Sequence, residues 1–372
     1  MQKILFVINV DWFFVSHFLP LALEAQKKGY EVHLACAFTD KEAYLHSLNF
    51  KVHPLSISRS GTTLSREVKV MYEIYSVIKE VNPHIVEFFT IKPVLYGGIV
   101  SKLLPARKKV FYITGLGYVF IAKGIKGTIA KHLVKFLYKL ALIGKDTQVI
   151  TENIFDKNLI NSLGVVDEKN IHIIKGAGVD VSSYRVVPEP KTPLRVVMAS
   201  RLLKDKGVYE FVEAAKTIVS QGYKVEFLLY GDIDSSNPSS LTQEELSLIE
   251  KGKVVQVMGH TSNIAEAFYG ANIVVLPSYR EGFPKVLIEA AAASRAVITT
   301  DVPGCRDAVV PNKTALLCRV KDSADLAEKI MQLLDDEVLR HNFAHAGRVL
   351  AENEFDIKQV LQKHFGVYGG EL

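Results

Sequence analysis

The chain has 372 residues, beyond the size at which one hydrophobic core usually stays whole, so two domains are expected. Hydrophobic residues make up 48% and charged residues 23%, which speaks against a disordered or fibrous chain. Its three cysteines, Cys36, Cys305 and Cys318, are unclustered and form no C-x-x-C, which argues against a disulfide framework or zinc site and for a reducing cytoplasm.

The net charge of +5 is unevenly spread. Residues 1–190 hold 24 Lys and Arg against 16 Asp and Glu, whereas 191–372 hold 21 against 24. Such asymmetry marks a half that meets nucleic acid, anionic lipid or a phosphate-bearing substrate. No recognition helix or RNA-binding sheet signature accompanies it, so nucleic acid falls behind.

At the start, Lys3 and the apolar run Ile4 to Val10 could pass for a signal peptide. Asp11 interrupts the run and no small-residue cleavage site follows, so a buried first strand is the better reading. No apolar run is long enough to span a bilayer. Further strands are expected at 31–35, 51–54, 85–88, 110–114, 148–151 and 171–174. Gly176 and Gly178 then break the pattern, and Pro188-Glu189-Pro190-Lys191-Thr192-Pro193 reads as an extended linker. The pattern restarts at 195–199 and continues at 225–230, 254–257, 273–276, 296–300 and 315–317. Strands alternating with helices predict an α/β chain with two doubly wound parallel sheets, each with its ligand edge at the strand C-termini. The domain boundaries are placed at 1–185 and 186–354.

The most informative stretch is Pro277-Ser278-Tyr279-Arg280-Glu281-Gly282-Phe283-Pro284, followed by Glu289. It leaves an apolar strand and enters an Ala-rich helix over 285–293, with Pro284 suited to the first helical position. One carboxylate thus sits before the helix and another about two turns along it, beside the N–H groups of its first turn. Upstream, Ser200-Arg201-Leu202-Leu203-Lys204-Asp205-Lys206-Gly207 places long cations beyond another strand end. Carboxylates for hydroxyls and cations for phosphate point to a nucleotide-sugar site.

These pieces, with Gly176-Ala177-Gly178-Val179-Asp180 and Tyr230-Gly231-Asp232, resemble glycosyltransferase family 4 over almost the whole chain. The resemblance implies a retaining enzyme of GT-B fold, two Rossmann-like domains facing a cleft, with the helix from about 355 to 372 completing the first. It assigns Arg201 and Lys206 to the donor diphosphate, Glu281 to the transferred sugar and Glu289 to the ribose. The backbone of Gly282, Phe283, Lys285 and Val286 would line sugar and phosphates, with Gly231 on a nucleotide-facing loop.

Two departures stand out. The glycine pair that many relatives carry after the first strand is replaced by the bulky loop Asp11-Trp12-Phe13-Phe14-Val15-Ser16-His17. The histidine that many place near the reacting sugar is absent from Thr114-Gly115-Leu116-Gly117-Tyr118, leaving Thr114, the Gly115 backbone and His17 as substitutes, His17 being equally readable as structural.

Ser58-Arg59-Ser60-Gly61-Thr62 and Ile91-Lys92-Pro93, together with the 114–117 stretch, resemble bacterial transferases that extend polyprenyl-diphosphate-linked sugars, N-acetylgalactosaminyltransferases among them. Arg59 and Lys92 would then meet the acceptor diphosphate, with plain surface solvation as the competing reading. Residues 126–140 form a basic amphipathic helix with Lys131, Lys135 and Lys139 on one stripe and Leu133, Phe136, Leu137 and Leu140 on another. It reads either as a helix packed on its sheet with a lysine-rich outer face or as an interfacial helix on anionic lipid.

Metal signals are weak: Asp232-Ile233-Asp234 spells D-x-D, and Glu337, His341 and His345 share a helical face. Gly115-x-Gly117 and Gly176-x-Gly178 are too short for a dinucleotide fingerprint. The expected function is metal-independent transfer of a hexosyl group, an N-acetylhexosamine such as GalNAc, from a UDP-sugar to a lipid-diphosphate-linked glycan, without a cofactor, on the inner face of the cell membrane. A nucleotide-sugar epimerase and an inactive scaffold are the alternatives.

Overall fold

In a computed structural model of the protein, the described residues are 1–58, 63–104, 108–115, 125–144, 146–235 and 237–369, with the backbone alone over 125–130. They form two units, Met1–Ala177 with Lys358–Leu372, and Gly178–Ile357.

In the first unit the apolar runs become strands β1 (Gln2–Val10), β2 (Tyr30–Ala37), β3 (Lys51–Pro54), β4 (Ile85–Phe89), β5 (Lys108–Ile113), β6 (Thr147–Thr151) and β7 (Ile171–Ile173). All pair in parallel in the order β3-β2-β1-β4-β5-β6-β7. Helices α1 (Asp11–His17), α2 (Leu19–Lys27), α3 (Glu42–Ser47), α4 (Leu64–Val81), α5 (Ile91–Val100), α6 (Ile125–Leu142) and α7 (Ile154–Asn161) connect them. Both sheet faces are buried, as a parallel sheet requires. On β1, Leu5 and Val7 face the core under α4 to α7, whereas Ile4, Phe6 and Ile8 face the core under α1 to α3.

The segment 11–17, expected as a loop, is helix α1. Asp11 explains it: its buried carboxylate accepts from the N–H groups of Trp12 (2.8 Å), Thr39 (2.7 Å) and Lys41 (3.0 Å) and from the Thr39 hydroxyl (2.7 Å). These bonds hold the carboxyl below its ordinary range against the cost of burial. Asp11 therefore splices β1 into α1 and ties both to the segment after β2.

The second unit contains β8 (Leu194–Ala199), β9 (Val225–Tyr230), β10 (Val255–Gly259), β11 (Ile273–Leu276), β12 (Ala296–Thr300) and β13 (Ala315–Cys318). They pair in parallel in the order β10-β9-β8-β11-β12-β13. Its helices are α8 (Val208–Ser220), α9 (Gln243–Gly252), α10 (Ile264–Tyr269), α11 (Lys285–Ala292), α12 (Pro303–Asp307), α13 (Ser323–Asp335) and α14 (Glu337–Leu350). A π-helical turn, Ala351–Phe355, leads to α15 (Ile357–Tyr368).

The first boundary falls after Ala177 rather than at 185. Val179 is the reason, since its N–H donates to the Phe355 carbonyl and its carbonyl accepts from Ile357 N–H, both at 2.9 Å. Phe355 itself packs edge-on against Phe283 in the second unit, so the chain joins the first unit only from Lys358. There α15 inserts Val360, Phe365 and Tyr368 into the core under α1 and α2. The Tyr368 hydroxyl donates to the fully buried Glu87, the His364 ring lies 3.4 Å from that carboxylate, and His364 stacks on Tyr112 with centroids 5.4 Å apart.

Candidate active site

In the second unit β8 lies between β9 and β11, so the loops leaving these three strands emerge where the strand order reverses. Ligands of open α/β sheets bind at such points, because the loops diverge there and leave a crevice at the strand C-termini.

After β8 the chain makes a 3-10 turn, Lys204–Lys206, and enters α8 through Gly207 at φ 80°. A Cβ on Gly207 would collide with the Pro277 carbonyl, so only glycine lets this loop lie against the turn after β11. The two loops are bonded where they meet: Tyr279 N–H donates to the Asp205 carbonyl at 2.8 Å, and the Ser278 hydroxyl to the same oxygen at 3.1 Å. Lys206 and Glu281 consequently meet, Nζ to Oε1 at 2.5 Å, with side chains only 18% and 12% exposed.

The loop after β9 approaches as closely. Gly231, at φ 140°, lies against the Ser200 carbonyl where a side chain would not fit. Beyond it, Asp234 Oδ2 accepts from Arg201 Nη1 at 2.8 Å. Both expected phosphate cations are thus aimed by carboxylates of neighbouring loops.

Helix α11 starts at Lys285, as expected, with Pro284 as its N-cap rather than its first helical residue, at φ −75°, ψ 111°. Pro284 makes no side-chain cap, and the peptide dipoles of the first turn favour an anion. Phe283 is buried in the hydrophobic core, so its backbone is the part left to line the site. Gly282 and Val286 flank it, both partly exposed. Glu289 lies one turn beyond Lys285, whose Nζ is 3.5 Å from it, and it also accepts from the Tyr184 hydroxyl. Burial pushes the Glu289 carboxyl above its ordinary range, opposed by Lys285 and Tyr184. The same burial, with Glu289 close by, pushes the Tyr184 phenol up.

The first unit has its own reversal point at β1, between β2 and β4. Thr114 and Gly115 follow β5 and are partly exposed. His17 sits at the far end of α1, its ring against Phe13 at 4.2 Å and its Nδ1 2.5 Å from the Ser16 hydroxyl. Lys92, read as either an acceptor cation or a solvated one, is ion-paired to Glu67 at 2.7 Å, with both side chains largely buried. Arg59 and the stretch Leu116–Tyr118 lie outside the described residues.

Some groups escaped the sequence reading. Tyr184, beyond any motif, is brought to Glu289 by the segment that Val179 anchors. Asn9 Oδ1 at the end of β1 and Thr90 Oγ1 after β4 are buried without a hydrogen-bond partner among the described residues. Thr90 also holds φ 69°, a strained value for a β-branched residue, and strain of this kind gathers at functional positions.

One of the acidic groups weighed as metal ligands is already paired. Asp234 holds Arg201. Among the described residues, Glu189 of the linker joins Glu337 and His341 in a ligand-like group that does not include His345. Glu189 is already engaged by Arg340, at 2.9 and 3.1 Å, and by Asn272 at 2.7 Å, so it ties the linker to α14 and β11.

Two doubly wound parallel sheets, the second with paired cations and carboxylates at its reversal point, define a glycosyltransferase of GT-B fold. Comparisons agree. A family model described as group 1 glycosyl transferases matches residues 183–349, and one described as glycosyl transferase 4-like matches residues 3–153. The chain belongs to this glycosyltransferase family. It is 28% identical over 369 residues, 95% of each chain, to the N,N'-diacetylbacillosaminyl-diphospho-undecaprenol alpha-1,3-N-acetylgalactosaminyltransferase of Campylobacter jejuni. It is 26% identical over 353 residues, 92% of this chain and 90% of the relative, to the capsular polysaccharide biosynthesis glycosyltransferase CapM of Staphylococcus aureus. Among solved structures, sucrose-phosphate synthase of Thermosynechococcus elongatus shares the fold with a TM-score of 0.80 at 18% identity, covering 99% of this chain and 98% of that one. HepE of Anabaena, solved in complex with UDP, gives 0.77 at 15% identity, covering 99% and 100%.

Proposed function

We propose that the protein transfers an N-acetylhexosamine such as GalNAc, with retention of configuration, from a UDP-sugar to a polyprenyl-diphosphate-linked glycan at the inner face of the cell membrane. The observation that carries this reading is the Lys206–Glu281 pair at the reversal point of the second sheet. The name of the Campylobacter relative, aligned along 95% of both chains, supports the choice of sugar and acceptor. Retention of configuration is taken from the family resemblance.

In this reading Lys206 and Arg201 receive the donor diphosphate and neutralise the charge that grows as UDP leaves. Arg201 acts as a planar fork and Lys206 as a point charge. The first turn of α11 adds its dipole, so no metal is needed. Glu281 binds hydroxyls of the transferred sugar and Glu289 those of the ribose. The acceptor falls to the first unit, through Thr114, Gly115, Lys92 and Arg59, with His17 near the end of α1.

An epimerase would use the same cations but needs no acceptor, and a scaffold would need neither. Incubation with labelled UDP-sugars, with and without lipid-linked acceptor, separates the three. Label moved to the lipid supports transfer, an epimerised donor replaces it, and unchanged donor with every acceptor overturns catalysis.

A further inference from the structure

Helix α6 carries apolar side chains on two faces. Val134, Leu137, Tyr138, Ala141 and Leu142 pack inward against the sheet. The side turned away from the sheet is not the lysine-rich face that a helix on its own sheet would show. It presents Leu133 (57% exposed), Phe136 (56%), Leu140 (40%) and Ile143 (54%) in one stripe. Lys131, Lys135 and Lys139 follow one another along the flank of that stripe, and Leu103, also exposed, adds to the apolar surface near the C-terminal end of α6. There Lys102 Nζ donates to the Leu140 carbonyl.

On the other side of α5, helix α4 adds a second exposed apolar stripe. Leu64, Val68 and Tyr72, spaced four apart, are exposed, although the charges of this helix balance and Lys69 lies 3.6 Å from Glu73. Helices α4, α5 and α6 pack side by side on one face of the sheet, so both stripes belong to one outer surface.

We infer that this outer surface of α4 and α6 is the seat of the protein on an anionic lipid bilayer. Its apolar stripes enter the boundary between headgroups and acyl chains while its lysines meet lipid phosphates. An exposed apolar stripe flanked by cations is what an interfacial helix needs and what a water-facing helix avoids. Charge selects the occupant. Residues 125–144, which hold α6, carry four lysines and no acid. Two copies of the face meeting about a two-fold axis would press like charges together, whereas anionic lipid is complementary to them. The inference rests on the proposed lipid-linked acceptor only for its purpose, since such an acceptor stays in the bilayer; the binding itself is independent of catalysis.

The test is flotation of the intact protein with vesicles of phosphatidylglycerol and phosphatidylcholine, or of phosphatidylcholine alone. The parent should float with anionic vesicles and be released by high salt, because the electrostatic attraction is screened within a Debye length. A Leu133→Ser, Phe136→Ser, Ile143→Ser variant and a Lys131→Glu, Lys135→Glu, Lys139→Glu variant should each lose binding by about tenfold or more. Both change exposed or half-exposed side chains, and unaltered thermal unfolding and UDP binding would show that they fold. Val68→Ser with Tyr72→Ser should weaken binding further. Parent-like flotation of the folded α6 variants would overturn the proposal. So would a parent that fails to float and sediments as a dimer that the serine variant dissociates. A protein that floats as expected yet transfers no sugar to any lipid-linked acceptor would sink the functional reading and leave this one standing.

Discussion

Lys206 Nζ and Glu281 Oε1 meet at 2.5 Å although 75 residues separate them in the chain. Neither side chain could be withdrawn from water alone, since an unpaired charge in so sheltered a place costs several kcal/mol. Each carries the other's counter-charge, and the bonds from the Tyr279 N–H and the Ser278 hydroxyl to the Asp205 carbonyl keep them in register.

Lys206→Ala should lower turnover by about 10²-fold or more, because the cation faces charge that grows in the transition state. It should also cost stability, since Glu281 would keep its sheltered position without a partner. Arg201→Ala, at a more exposed pair, should lower turnover similarly with less effect on folding. Steady-state kinetics beside thermal unfolding separate the two effects. Near-normal turnover in folded Lys206→Ala protein would remove this residue from the mechanism.

Chelation should leave transfer largely intact. Arg201 occupies Asp234, so the D-x-D triplet lacks one open carboxylate while that pair holds. Assays with excess EDTA, then with added manganese, decide the matter. Activity lost and restored by manganese would shift the diphosphate-neutralising role to a metal.

Glu289 makes a pH prediction. Its carboxyl is raised above the ordinary value of 4.5, so the folded chain holds that proton more tightly than the unfolded chain does. Its contribution to stability is therefore greatest below that value and is lost as pH rises through the raised one. Glu289→Gln should gain melting temperature relative to the parent at about pH 8 more than at about pH 5. A difference that does not change with pH would show that the carboxyl is not raised. The same variant should bind UDP more weakly if the carboxylate holds the ribose.

Phe365→Ala tests the C-terminal helix. The ring is buried against Tyr368 in the core of the first unit, so its loss should cost about 3–5 kcal/mol there. UDP affinity should persist, because the proposed donor residues belong to the other unit. Unfolding followed by hydrogen exchange should show the first unit opening earlier, with the second unchanged. Equal destabilisation of both would mean that α15 does not belong to one unit alone.

The strands were legible because parallel strands buried on both faces need unbroken apolar runs, such as Ile273–Leu276 and Ala296–Thr300, and local composition shows these directly. The cations and carboxylates of the second unit were legible because short motifs at strand ends carry them. Helix α1 was not, because its start depends on Asp11 bonding to Thr39 and Lys41, nearly thirty residues away. The boundary at Ala177 was hidden for a similar reason, since it rests on Val179 pairing with the backbone beside Asp356.

The amino-acid order thus determined the α/β class, the two sheets and the residue types gathered at the ends of the strands, because periodicity and strand-end motifs are local properties. Tertiary structure alone decided which charges neutralise which: Lys206 with Glu281, Arg201 with Asp234, Lys92 with Glu67, and Tyr184 beside Glu289. It also decided which stripe of α6 faces outward. Spacing along a helix separates the apolar residues from the lysines, but only packing against α5 and the sheet selects Tyr138, Ala141 and Leu142 for the core and leaves Leu133, Phe136 and Ile143 exposed. Pairing and burial depend on distances between segments far apart in the chain, and no local pattern encodes those.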